Sequence, residues 1–418
     1  MRNLKIFTDN IEQEAIDQIH LLMAQEAFQN SIVRIMPDVH AGKGCVIGFT
    51  GDLGDKVIPN IVGVDIGCGM LCVSLGNKSM DLEKLDQIIH EKVPSGFHVH
   101  EGRNDRFPAL LQLKSYRSLK DTRRFERSLG TLGGGNHFIE IDIDDEGNHY
   151  LIIHTGSRNL GKQVADYYQN LADQLCNYNL GEFHEKQRKL IDEYKAAGRK
   201  KEIQAALIQM KKAYQQNTEC IPKDLAYLEG TYREDYLYDM KLCQEFAHKN
   251  RLCIARQILS AYFEEEDVQL IEEHDWGDAP ASKSPMFCYF ETIHNYISFK
   301  DHIVRKGAIS ARKNEKVLIP MNMRDGCIIG IGKGNEDWNN SAPHGAGRIM
   351  SRSKAKETLN LKEYKESMKG IYTTSLNEAT IDEAPFVYKP MEEILSYIKD
   401  TVDIINIIHP IYNFKASD

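Results

Sequence analysis

Long apolar runs, paired cysteines and an excess of positive charge are all missing from this chain of 418 residues. No stretch approaches ~20 consecutive uncharged apolar residues, so no segment is a candidate transmembrane helix and no membrane partner is expected. The opening Met1-Arg2-Asn3-Leu4-Lys5 meets Asp9, Glu12 and Glu14 before a signal-peptide core can build up, which makes the cytoplasm the expected compartment. The nine cysteines are odd in number and form no C-x-x-C pair, which argues against a disulfide framework and against a zinc ribbon. A formal net charge of −9 argues against a surface that coats polyanions indiscriminately. One local basic stretch remains, with Lys114, Arg117, Lys120, Arg123, Arg124 and Arg127. It can grip phosphates, or it can be a solvated face.

With 42% hydrophobic and 27% charged residues, the composition is that of an ordinary globular protein. Ile11, Ala15, Ile16, Ile19 and Met23 fall at helical spacing, so the segment Ile11 to Phe28 reads as an amphipathic helix. Ser31 to Met36 is a strand candidate ending at Pro37-Asp38-Val39-His40, and Cys45 to Thr50 is a second. Gly63-Val64-Asp65-Ile66-Gly67-Cys68-Gly69 follows the apolar Ile61-Val62 and reads as a glycine-rich bend between buried strands. Further strands are expected at Phe138 to Ile143 and Tyr150 to His154, joined by the turn Asp144 to Asn148, then at Lys316 to Ile319, Cys327 to Ile331 and Val402 to Ile408. Residues 162–263 lack strand alternation and read as a helical insertion within a single domain spanning 1–418. The expected class is α+β, with mixed or antiparallel sheets.

Polar groups collect where strands and glycine loops end: Asp65, Cys68, His137, His154 and His294. Taken alone, Asp65 and Cys68 read more simply as a turn aspartate and a core cysteine. Together the five are a thiol, a carboxylate and three imidazoles, the donor types a divalent transition metal selects. Five donors exceed one tetrahedral site, and a bridging cysteine would permit two metals. His344 stands in His-Gly-Ala-Gly-Arg, ahead of an expected helix whose N-terminus can hold an anion. A structural group, a metal ligand and a nucleophile all fit its position. Gly156-Ser157-Arg158 and Arg305-Lys306 are further candidates for binding phosphate.

These motifs, in this order, closely resemble the RtcB family of RNA ligases: Pro37-Asp38-Val39-His40, Gly63 to Gly69, Gly130-Thr131-Leu132-Gly133 with Gly135-Asn136-His137-Phe138-Ile139-Glu140, His154 to Arg158, His294-Asn295-Tyr296, Arg305 to Ala308 and His344 to Arg348. The resemblance covers nearly the whole chain. It implies the family's α+β fold around a central metal cleft. It also implies a GTP- and manganese-dependent ligase joining RNA 3′-phosphate or 2′,3′-cyclic phosphate ends to 5′-hydroxyl ends, in tRNA splicing or RNA repair. By the same resemblance His344 attacks the GTP α-phosphate, and the guanylate then passes to the RNA 3′-phosphate. Asp65, Cys68, His137, His154 and His294 would hold two Mn²⁺ ions, with Cys68 bridging. Asn136, Glu140, Asn322, His344, Gly345, Ala346, Gly347, Arg348, Tyr388 and Lys415 would meet the guanylate. An archease-like activator is a partner the family implies.

The chain departs from the family pattern after Ile319. Many members have Pro-Gly-Ser-Met-Gly there, and this chain has Pro320-Met321-Asn322-Met323-Arg324-Asp325-Gly326. Two other functions would use the same residues. One is a two-metal phosphodiesterase or cyclic-phosphate hydrolase, and the other a non-catalytic RNA-binding repair factor.

Overall fold

The structure, a computed structural model, describes residues 3–178, 180–216, 221–278 and 284–416. Of the sequence expectations, residues 1–2 and, within the helical stretch, 179 and 217–220 lie outside the described residues. Among the described residues no helix is long and apolar enough to cross a membrane.

The chain has a mixed α/β architecture with mixed sheets. The largest sheet has eight strands in the order Lys316–Asn322, Gly326–Gly332, Val402–Lys415, Phe138–Ile143, His149–Thr155, Gly69–Gly76, Met286–Ile293 and Gln269–Glu272. All neighbours are antiparallel except the last two, which run parallel. A five-stranded sheet joins Leu4–Ile6, Val33–His40, Ile47–Asp52, Ile303–Lys306 and Asn295–Ile297. A two-stranded ribbon pairs Ala308–Ser310 with Ser341–Pro343. Antiparallel neighbours alternate direction, so the start of one strand lies beside the end of the next. Phe138 sits opposite His154, and Gly69 opposite both Thr155 and Ile293. One edge of four adjacent strands therefore carries His137, His154, Cys68 and His294 in a row.

Between the strands His149–Thr155 and Gln269–Glu272 the chain forms the helices Arg158–Asn177, Leu180–Ala196, Ile203–Gln216 and Gly230–Phe263. The last has 34 residues, about 51 Å at 1.5 Å per residue. Its first half packs Tyr236, Met240 and Phe246 into the core beneath the five-stranded sheet. Its second half packs Ile254, Ile258 and Leu259 into the core of the eight-stranded sheet. Between these halves sit two buried polar residues, each bonded to loops. Asn250 Oδ1 accepts from the backbone of Gly130 (2.8 Å) and Thr131 (3.2 Å). Arg251 Nη1 donates to the carbonyls of Gly67 and Thr155, both at 2.8 Å, and its Nε donates to Glu291 at 2.7 Å. One helix thereby holds the four segments that carry the donor row.

Three local expectations are corrected. The strand Val33–His40 runs through Pro37 instead of ending there, because the pairing shifts between Ile35 and His40 and a bulge needs no donor at that point. The segment before the Asp65 bend is a 3₁₀ turn, Pro59–Ile61, not a strand, since Pro59 cannot donate to a ladder. The helix after His344 is Arg352–Thr358, capped by Ser351, so His344 does not stand at a helix N-terminus.

Gly69 is buried where two strands close on it, and a Cβ there would lie 2.7 Å from the Thr292 carbonyl oxygen and 2.9 Å from the Ile293 Cα. Both are backbone atoms and cannot swing away. Gly69→Ala is expected to lose about 1–3 kcal/mol of stability in a denaturant titration. A midpoint equal to the parent's would show that the two strands are free to separate.

Candidate functional site

At the row of strand ends, Cys68 Sγ lies 3.4 Å from His137 Nε2 and 3.3 Å from His154 Nε2. His154 Nε2 lies 3.3 Å from His294 Nε2, and His137 Nε2 lies 2.9 Å from Asp65 Oδ2. These atoms form two triads, Cys68–His154–His294 and Asp65–Cys68–His137, each with donors mutually within 4.8 Å. Cys68 belongs to both. All five candidates named from the sequence thus meet at one place. Local chemistry builds the bend. Cys68 N donates to Asp65 O at 3.1 Å, Gly67 N to Asn295 O at 2.7 Å, and His294 N to Cys68 O at 2.9 Å. A side chain at Gly156 would run into the Asp65 carboxylate.

Hydrogen bonding sets which ring atoms face inward. His137 Nδ1 lies 3.0 Å from Leu132 O and His154 Nδ1 lies 3.1 Å from Asn136 O, so each Nδ1–H is donated to a carbonyl; His154 Nε2 turns a lone pair toward the sulfur, while His137 Nε2 is hydrogen-bonded to the Asp65 carboxylate. Burial, reinforced by neighbouring imidazoles, holds His154 and His294 well below the usual imidazole range, in the neutral form that binds metals. Burial alone would keep Asp65 neutral, but the hydrogen bond and charge of His137 and the charge of Arg158 prevail and lower its carboxyl. Burial, with Asp65 alongside, pushes the Cys68 thiol well above its ordinary value. Lone pairs converge here with few protons between them, and Asp65 Oδ1 and His294 Nδ1 are buried with no hydrogen-bond partner. A bound cation suits this donor set: it would separate the lone pairs and draw the proton off Cys68.

His344 stands beside the triads, its ring centroid 4.9 Å from that of His294. Its Nδ1 is 2.6 Å from Oδ2 of the fully buried Asp38, which also accepts the His344 backbone N–H at 3.1 Å. The carboxylate holds the Nδ1–H and turns Nε2 away as a free lone pair. His344 walls a cavity of about 200 Å³ that His154 and His294 also line. Every residue expected to meet the guanylate lines the same cavity: Asn136, Glu140, Asn322, Gly345, Ala346, Gly347, Arg348, Tyr388 and Lys415, besides His344 itself.

A model of the family described as tRNA-splicing ligase RtcB matches residues 21–116 and 109–416. The chain is 30% identical to the RNA-splicing ligase RtcB of Escherichia coli K12, covering 99% of this chain and 97% of that protein. It is 26% identical to the tRNA-splicing ligase RtcB of Archaeoglobus fulgidus, over 93% of this chain and 88% of the relative. This chain belongs to the RtcB family. Its relatives are named RNA ligases, and RNA ligation is the function the family supports.

Two buried acids of this RtcB chain were not singled out as site residues from sequence. Asp38 was visible only as part of a motif. Glu383, 2% exposed, gathers the cavity's cations: Arg348 at 3.2 Å, Arg352 at 2.6 Å and Lys415 at 2.5 Å, with the Tyr388 hydroxyl donating at 2.7 Å. Burial works against its ionisation, but Lys415 and Arg352 hold its carboxyl down at about 2. No local spacing links these five positions. The divergent turn is closed by Asn322, whose Oδ1 accepts from Arg324 N and Asp325 N, both at 3.0 Å, while its Nδ2 donates to Asp325 at 2.8 Å. Met321 and Met323 add apolar wall to the cavity. Arg305 and Lys306, phosphate candidates by sequence, are spent inside the chain. Arg305 bonds Asp301 and Ser341, and Lys306 bonds the carbonyls of Lys43, Cys45 and Asn60.

Glu383→Gln would leave three cations around an uncharged amide, and is expected to cost about 3–5 kcal/mol at neutral pH. A carboxyl lowered from 4.5 to about 2 stabilises the fold above pH 4.5 and loses that contribution as pH falls toward 2. Chemical denaturation across that window should therefore show a flatter acid limb in the variant, and identical limbs would count against an ionised Glu383.

Proposed function

We propose that this chain is a GTP- and manganese-dependent RNA ligase that joins 3′-phosphate or 2′,3′-cyclic phosphate ends to 5′-hydroxyl ends. One observation carries the reading: a sulfur shared by two donor triads lies next to an oriented imidazole on the wall of a cavity that all the expected guanylate contacts line. Asp65, Cys68, His137, His154 and His294 are the residues that would hold two ions, with Cys68 between them. When bound, Mn²⁺ would neutralise phosphate charge and polarise the P–O bonds under attack.

The residues of the chain do the rest. Asp38 accepts the Nδ1–H of His344 and so presents Nε2 as the nucleophile. Nε2 attacks the α-phosphorus of GTP, an N–P bond forms, the α–β P–O bond breaks and pyrophosphate leaves. The RNA 3′-phosphate, which a 2′,3′-cyclic end yields once water adds and the 2′ P–O bond breaks, then takes the guanylate from His344, giving an RNA 3′-diphosphate-guanosine end. Attack by the 5′-hydroxyl forms the phosphodiester and releases GMP and a proton. Asn136, Glu140, Asn322, Gly345, Ala346, Gly347, Arg348, Tyr388 and Lys415 would seat the guanylate. With Asn322 closing its own turn, its contribution there is the shape of the wall. The reading treats 1–418 as one catalytic unit around a central metal cleft, with the helices of 162–263 inserted in it. It places the enzyme in the cytoplasm and allows an archease-like activator.

Incubation with α-labelled GTP and Mn²⁺ should label the protein through an acid-labile bond, and His344→Ala should abolish the label. Undiminished labelling of that variant would exclude His344 as the nucleophile. Asp38→Asn should slow labelling roughly 10²-fold while the protein stays folded. Cys68→Ala should lose both tightly bound ions and the label, with the fold retained by circular dichroism. Two ions still bound per chain by mass spectrometry in this variant would overturn the shared-sulfur site.

A further inference from the structure

Two carboxyl groups share one strand at the cavity beside His344. Glu140 and Asp142, in Phe138–Ile143, are two residues apart and so point to the same face of the sheet. Glu140 lines the cavity and Asp142 does not. Glu140 is 2% exposed and Asp142 is fully buried. With Cys327 they bring two carboxylate oxygens and a sulfur mutually within 4.8 Å. We propose that Asp142 is the positioning residue that sets the choice of base: it keeps its own proton, donates a hydrogen bond to Glu140, and so holds Glu140 as a charged acceptor for the N–H groups of guanine. The proposal rests on the reading that a nucleotide fills this cavity, and it assigns a role to a residue that does not line it.

The place of the proton follows from the partners of each group. Glu140 Oε2 accepts from Asn413 Nδ2 at 2.5 Å, and the Cys327 thiol lies 4.0 Å from Oε1. The ammonium of Lys415 also favours a charge on Glu140. Both oxygens of Asp142, by contrast, are buried with no hydrogen-bond partner. The titratable groups that act on Asp142 are all acids: Glu140 on its own strand, Cys327 and Cys72 on two others. Tyr150, opposite Asp142 on the next strand, gives its hydroxyl to Asp144 instead. Around Cys327 the neighbours are apolar, among them Met70, Ile152, Leu318 and Ile329. Two ionised carboxylates cannot lie this close in such surroundings, whereas an acid and a carboxylate can, joined by the O–H of the acid. Burial and the charge of Glu140 push the Asp142 carboxyl well above its ordinary value. Burial raises Glu140 as well, but hydrogen bonds from Asp142 and Asn413 and the charge of Lys415 oppose it.

Base selectivity is the chemical consequence. An ionised carboxylate only accepts hydrogen bonds, and a protonated one also offers an O–H. Guanine presents N–H donors at N1 and at its 2-amino group, so it suits an ionised Glu140. Adenine presents a bare acceptor at N1, and it suits a protonated one. A proton held on Asp142 leaves Glu140 in the form that takes guanine.

The test compares the full-length parent with Asp142→Leu, which removes the donor, and Asp142→Asn, whose amide N–H replaces it. Equilibrium binding of fluorescent GTP and ATP is measured with Mn²⁺ present, alongside covalent labelling by each α-labelled nucleotide. The parent should favour GTP in both. Asp142→Leu should narrow the GTP-over-ATP ratio about tenfold, the worth of one hydrogen bond to a charged group, and Asp142→Asn should keep the parent ratio. Without its donor Glu140 holds a proton more tightly, so the loss of GTP binding as pH falls should begin at higher pH in Asp142→Leu than in the other two. A purely structural Asp142 would move the denaturation midpoint and leave both the ratio and this pH limb in place. An unchanged ratio in Asp142→Leu, or an Asp142→Asn variant that behaves like it, would overturn the assignment. So would a third tightly bound metal ion per chain that Asp142→Leu loses, since the cluster would then be a cation site. A parent that forms no guanylate would remove the ligase reading, while the binding ratios still decide the role of Asp142.

Discussion

The crowding of electron pairs around one sulfur is the constraint that organises this molecule. Cys68, His154 and His294 bring electron pairs to a common point beside the hydrogen-bonded pair His137 and Asp65, and burial denies them water. Left to itself, such a cluster would drift apart. It is held from outside, by carbonyls that take the Nδ1–H of two imidazoles and by Arg251, which binds the carbonyls of Gly67 and Thr155 at once. Arg251 is itself a fully buried guanidinium, compensated by Glu291, whose carboxyl is lowered because the charges and hydrogen bonds of Arg251 and His248 outweigh burial. The scaffold thus accepts one buried charge in order to fix five donor groups.

The two sheets divide the work. Antiparallel alternation in the eight-stranded sheet delivers four donors to one edge without long loops, which keeps them on rigid elements. The five-stranded sheet supplies Asp38 from the strand Val33–His40, whose pairing shifts between Ile35 and His40, and its carboxylate faces His344. The helix Gly230–Phe263 packs into both cores and so ties the two sheets to each other. The acid Glu383 collects Arg348, Arg352 and Lys415 on the cavity wall, cations that would otherwise repel one another.

The turn after Ile319 shapes one wall of the cavity. Asn322 closes a hydrogen-bonded turn on its own backbone, and two methionines line the cavity. A wall made of methionine fits its occupant through shape and dispersion more than through directed hydrogen bonds. Asn136, Glu140 and Lys415 supply polar groups to the same cavity.

Residues and their order determined the family, the donor types and the class of fold, because glycine-rich bends, alternating strands and motifs such as His-Gly-Ala-Gly-Arg are local patterns that survive in one dimension. Most strands named from sequence lie where they were expected, but proline chemistry intervened at Pro37 and Pro59, Val402–Lys415 runs on past Ile408, and Gln269–Glu272 and Met286–Ile293 were not expected as strands. Only the tertiary structure decided which groups share a space. It put Cys68 in two triads, set Asp38 behind His344, gathered Arg348, Arg352, Tyr388 and Lys415 on Glu383, and buried Arg305 and Lys306 among their own carbonyls and carboxylates. Those pairings join residues up to several hundred positions apart. They depend on sheet register and on burial, which set distance and dielectric together, and neither is written in the spacing of residues along a chain.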